Sequence, residues 1–310
     1  MHLSLLLTEQ IGSMFIMLLF GFLMVRLKLL NTEDSKKFST LILYVITPCT
    51  LFSAFQITYT KEKLTGLGIA FLAAAIVHIL YIVLTMLFHK VFHFKQIEQA
   101  SLVYTNGGNL IIPLVSAVLG KEWVIFSCAY ITVLNILFWS HGKSIISGVK
   151  GIDFKKILFN INIISIILGA FVFVTGLPIP PFLQTAIENT GSMVGPSCMI
   201  VTGMLIGNMK LKEVFWQKRP YLICFFRLVV YPFLVVLLFT VSNISHIYPD
   251  AERILIVVLL AAAAPSAATI TQLAQLYDRE PGYASILNVL SIFFCIITMP
   301  LMVMLYQFLV

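Results

Sequence analysis

Charge is what this sequence has least of. Only 11% of its 310 residues are Asp, Glu, Lys or Arg, where a soluble domain carries about 25%, and no polar loop is long enough to hold a soluble domain. The five cysteines, Cys49, Cys128, Cys198, Cys224 and Cys295, are odd in number and lie in apolar segments. They show no CxxC and no Cys/His ligand spacing, so neither a disulfide framework nor a metal site is indicated. Catalytic motifs are missing as well: there is no GxSxG, no HExxH and no pair of intramembrane aspartates. The sequence therefore reads as a non-enzyme that needs no cofactor. A net charge of +7 could suggest nucleic acid, but the basic residues are scattered through short loops without a basic-aromatic surface. Nucleic acid is excluded as a partner on that ground. No basic n-region precedes the first apolar run and no small-residue cleavage site stands out, so the N-terminus is read as a first span and not as a signal peptide.

What is present is apolar length. Sixty per cent of the residues are hydrophobic and the mean hydropathy is +1.00, which defines a polytopic membrane protein whose first partner is the lipid bilayer. At about 20 residues per crossing, the chain divides into ten spans near 9–27, 37–57, 65–88, 98–119, 122–140, 157–176, 182–208, 220–242, 252–275 and 282–309. With the N-terminus outside, fifteen Lys and Arg residues fall in inner loops, and only Lys61, Lys63, Lys121 and Arg253 lie outside. That positive-inside asymmetry places both termini on the extracytoplasmic side. The short loops fit a bacterial plasma membrane.

Two spans carry sequences that do not belong at bilayer depth. Thr105 to Pro113 reads TNGGNLIIP and Ala261 to Gln272 reads AAAAPSAATITQ. Glycine and proline weaken a helix and free backbone groups that lipid cannot satisfy. Matching prolines recur in span 2 (Pro48) and span 7 (Pro196). Pro48 and Pro196 stand 148 residues apart, and Pro113 and Pro265 stand 152 apart. The expected fold is all-α, with two five-span repeats over 1–150 and 151–310. An odd number of spans per repeat makes the second insert upside down, so that broken spans 4 and 9 cross near the bilayer centre.

The crossing is the candidate site. Pro113 and Pro265 are each expected to open the second half of a broken helix, so that two half-helix N-termini present free N–H groups and partial positive charge to the midplane. That environment suits a carboxylate. Asn106, Gly107, Gly108 and Asn109 from one repeat, and Ser266, Thr269, Thr271 and Gln272 from the other, complete the polar surface. Taken singly, such groups could equally bond one another and stabilise a kink; their symmetric pairing favours a site. Three ionisable groups lie inside spans: Arg227 in span 8, which either functions at depth or snorkels to the inner surface; His78 in span 3, suited to proton coupling or to packing; and Glu188, near a wet helix end. Asn243-Ile244-Ser245 matches a glycosylation sequon on an outer loop.

The ten-span plan, with TNGGNLIIPLV and the long run AAAAPSAATITQLAQLYDREPGYASILNVLSIFFCIITMPL, resembles the auxin efflux carrier family, its bacterial malate and malonate permease members and the plant auxin carriers. The resemblance covers essentially the whole chain. It implies that the crossed helices bind an organic anion at Asn106, Asn109, Pro113 and Pro265. Spans 1, 2, 6 and 7 would serve as scaffold and homodimer surface, with the other six as a moving transport unit. One departure is visible: many members carry glycine two residues before the span-4 proline, and this chain has Ile111. The resulting expectation is a secondary transporter for a small organic carboxylate, with protons as the candidate coupling ion. A sodium-coupled carrier of the bile-acid type would want acidic ligands at the crossing, and none is seen there. A membrane sensor that binds without transporting is the alternative from another class.

Overall fold

The computed structural model describes residues 2–107, 110–148, 157–208, 215–242 and 248–310. Those residues form helices joined by short turns, and among them there is no strand beyond one isolated bridge. Five helical stretches are long and apolar enough to cross a membrane: Lys61–Phe92, Lys121–Ser147, Pro181–Gly207, Lys218–Val241 and Pro281–Leu309. In chain order the α-helices are α1 (His2–Arg26), α2 (Asp34–Leu41), α3 (Thr47–Ser53), α4 (Lys61–Phe92), α5 (Gln96–Val103), α6 (Ile111–Val118), α7 (Val124–Leu137) and α8 (Lys143–Ser147). They continue as α9 (Ile161–Thr175), α10 (Pro181–Ser192), α11 (Val194–Gly207), α12 (Lys218–Phe225), α13 (Tyr231–Val241), α14 (Ala251–Ala262), α15 (Ala268–Leu276) and α16 (Pro281–Leu309).

Local chemistry sets the ends. The Thr60 hydroxyl accepts the Lys63 N–H and starts α4, which stops at His93 in the left-handed region, φ 50°. Asn160 caps α9 by accepting the N–H groups of Asn162 and Ile163, filling donors that a helix start leaves free. Three π-helical turns, Ile42–Ile46, Phe138–Gly142 and Phe226–Val230, interrupt longer helices. Such bulges rotate the following side chains and often mark functional places.

Packing between elements relies on small residues where backbones meet. Helix α1 lies along α11, and a Cβ added at Gly21 would strike the Ile200 carbonyl, as one at Gly203 would strike that of Leu18. Close approach through small side chains is how helices associate without a hydrophobic drive between them. Helix α4 packs on α7 and α14, and α16 on α15 and α12. Where α5, α12 and α16 begin, the buried Glu98 carboxylate accepts from Arg219 Nε (2.7 Å) and Nη2 (2.8 Å), the Tyr283 hydroxyl (2.7 Å) and the Lys95 N–H (2.7 Å). This cluster ties three chain segments together.

The structure corrects the placement of the two prolines. Pro113 is the third residue of α6, which begins at Ile111; its missing N–H still falls in the first turn, where no intrahelical acceptor exists. Pro265 lies before α15, in the non-helical gap between Ala262 and Ala268.

Candidate functional site

The two interruptions meet. Between α5 and α6 the chain runs extended through Tyr104 and Thr105, and Thr105 bridges antiparallel to Ser266 in the gap between α14 and α15. The Asn106 N–H donates to the Pro265 carbonyl at 2.8 Å, and the Ala267 N–H donates to the Tyr104 carbonyl at 3.1 Å. Each break thus supplies backbone partners for the other, which a lone break in lipid could not find.

Beside this junction lies a cavity of about 620 Å³, within the range of small-molecule sites. Polar side chains reach it from several elements: Thr47, Thr105, Asn106, Asn135, Asn160, Asn162, Thr269 and Gln272. Tyr44, Tyr104, Phe138 and Trp139 supply aromatic wall, and among the described residues no Asp, Glu, Lys or Arg lines it. Several of the polar groups are unspent. Thr47 Oγ1, Thr105 Oγ1 and Asn162 Oδ1 are buried and have no hydrogen-bond partner. Asn135 donates Nδ2 to the Ile131 carbonyl at 3.0 Å, which leaves its Oδ1 available. These three atoms are enclosed within the wall, where a buried polar atom without a partner is costly.

The sequence-derived candidates separate on the structure. Asn106, Thr269 and Gln272 line the cavity. Gly107 sits beside the Tyr130 ring, and Pro113 packs on Gly195 of α11; neither lines it. Thr271 shares α15 with Thr269 and Gln272 but is not among the cavity residues. Ser266 does not line the cavity, and its backbone is paired: its N–H donates to Ser291 Oγ at 3.1 Å and its carbonyl accepts from Asn288 Nδ2 at 2.7 Å. Gly108, Asn109 and the sequon at 243–245 fall outside the described residues. Asn135, Asn160 and Asn162 were not anticipated. Their signal was in the sequence all along, as asparagines inside apolar runs, LNILF and FNINII.

The three ionisable candidates also part ways. Arg227 does not snorkel. It is 1% exposed, and its Nη2 donates to the carbonyls of Ala262 (2.9 Å) and Ala264 (2.6 Å) at the end of α14. His78 is fully buried, bonded through Nδ1 to the Ala74 carbonyl at 2.7 Å and packed 4.7 Å from the Tyr130 ring, with Nε2 unpartnered. Glu188 is half-buried on α10, accepts from Gln184 Nε2 at 3.0 Å, and is not among the cavity-lining residues. The five cysteines are free thiols, and among the described residues no group of His, Cys, Asp or Glu could hold a metal ion.

A family model described as membrane transport protein matches residues 6–151 and 143–303. The chain belongs to this family, that of the auxin efflux carriers. No curated relative matches it. For this membrane transporter, a polar chamber beside two interrupted helices is the natural place to look for what is carried.

Proposed function

We propose that the protein is a secondary transporter that moves a small organic anion across the plasma membrane by alternating access. The substrate is held in the cavity where broken helices 4 and 9 of a ten-span, 5+5 inverted repeat cross. Residues 1–150 and 151–310 form the two repeats and both termini lie outside. Spans 1, 2, 6 and 7 provide the scaffold and a homodimer surface, and the other six form the moving unit. The observation that carries this reading is the set of hydroxyl- and amide-bearing residues that line the cavity, Thr47, Thr105, Asn162, Thr269 and Gln272, beside Asn106 at the break. Amide and hydroxyl donors can hold a carboxylate, and the N-terminus of α15, which brings Thr269 to the same wall, adds partial positive charge. Aromatic neighbours such as Trp139 and Phe138 suit an apolar body behind the carboxylate. With no charged group among the described lining residues, one anionic group is better matched than two.

Uptake into proteoliposomes of labelled malonate, malate, succinate and indole-3-acetate, with a pH gradient imposed or absent, tests the reading. Saturable flux of at least one anion is expected, reduced at least tenfold in Asn106→Ala protein of unchanged melting temperature. Saturable binding with no flux would replace the carrier by a sensor. Unimpaired flux in Asn106→Ala would remove the junction from the pathway.

A further inference from the structure

Helix α14 ends at Ala262 in the middle of the protein, and the carbonyls beyond it need partners. At such half-helix C-termini, transporters hold coupling cations, because the helix end carries partial negative charge and its carbonyls converge. Here that place is already filled by a side chain. The π-helical turn Phe226–Val230 carries Arg227, whose Nη2 binds the Ala262 and Ala264 carbonyls. Tyr81 completes the arrangement, donating its hydroxyl to the Ala262 carbonyl at 3.1 Å and placing its ring 5.3 Å from the guanidinium. Arg227 is buried, and among the described residues no carboxylate pairs with it. Its Nε and Nη1 have no partner at all. A buried charge without a counter-ion is expensive, so its retention on carbonyls and an aromatic face alone is a specific feature of this site.

We propose that Arg227 is a tethered cation standing where a mobile alkali cation would otherwise bind, so that transport runs without sodium. This deepens the transport reading and rests on it, but melting of the ligand-free protein tests it separately. Wild-type protein is expected to melt at the same temperature in sodium chloride as in choline chloride, and uptake of the four labelled anions is expected to be equal in the two salts. A rise in either with sodium would overturn the proposal. Arg227→Gly is expected to melt roughly 5–10 °C lower and to regain at least half of that loss in millimolar methylguanidinium chloride. The exposed-cation control Arg253→Gly should gain nothing, and equal gains in both variants, or none in Arg227→Gly, would overturn it. If Arg227→Gly cannot be purified, Arg227→Lys, which keeps the charge but loses the fork, is expected to melt at an intermediate temperature and to stay indifferent to sodium; sodium sensitivity in that variant would also overturn the proposal. Absence of any flux from wild type, with the melting results as expected, would count against the transport reading alone.

Discussion

The two interruptions differ in how their polar groups are used. In the α14–α15 gap, every carbonyl from Ala262 to Ser266 has a partner: Arg227 and Tyr81 on Ala262, Cys295 Sγ (3.7 Å) on Ala263, Arg227 on Ala264, the Asn106 N–H on Pro265 and Asn288 on Ser266. The α5–α6 break is different. Its Thr105 hydroxyl is buried without a partner and its Asn106 side chain faces the cavity. One break is clamped and the other is kept unfinished. Clamping fixes the geometry of the α14–α15 gap; under the proposed function, the α5–α6 break is where a bound anion would add bonds.

That contrast can be broken from either side. The largest effect is expected from Arg227→Ala, which leaves two carbonyls in the clamped gap without their guanidinium. A stability loss of roughly 3–6 kcal/mol, that of two charge-assisted hydrogen bonds, should appear in thermal or denaturant unfolding, with flux falling in step with the folded fraction. Next comes Asn288→Ala, which orphans the Ser266 carbonyl and should cost roughly 1–3 kcal/mol by the same measurement. The open break should behave in the opposite way. Thr105→Val removes a hydroxyl that has no partner, so the melting temperature should hold or rise slightly while the apparent affinity for the transported anion drops about three- to tenfold, roughly the contribution of one hydrogen bond. If Thr105→Val instead destabilised like Asn288→Ala, the distinction between the two breaks would collapse.

The smallest effect is expected far from both, at Asp34. The Asn31 N–H and Lys37 hold this carboxylate below its ordinary value. Because its folded-state pKa is depressed, its contribution is present above the usual carboxylate range and fades as pH falls through the folded value. The group is fully exposed, so Asp34→Asn should flatten the acid limb of the melting curve barely measurably and leave anion flux unchanged.

Much of the architecture was legible from hydropathy. Helices lie over the apolar runs, and both interruptions fall where Gly107 and Pro265 weaken helical structure. The cavity was legible in part. Asn106, Thr269 and Gln272 were recognisable because polar residues beside a break stand out against apolar surroundings. Asn160 and Asn162 stand out less than their apolar neighbours would suggest, because they sit at the start of α9, where asparagine is ordinary capping chemistry. The pairing of the Ser266 backbone with Asn288 and Ser291 was not legible, because those partners lie more than twenty positions later in the chain.

By itself the sequence determined that the chain is a multi-pass helical membrane protein with two weak points in its helices, because transfer free energy and backbone satisfaction act residue by residue along the chain. Only the tertiary structure decided that Arg227 turns inward to Ala262 and Ala264, that the two weak points bond to each other, and that asparagines from α7, α9 and the first break line one cavity. Those outcomes depend on which helix packs against which, and on partners tens to more than a hundred residues apart. No local propensity carries that information.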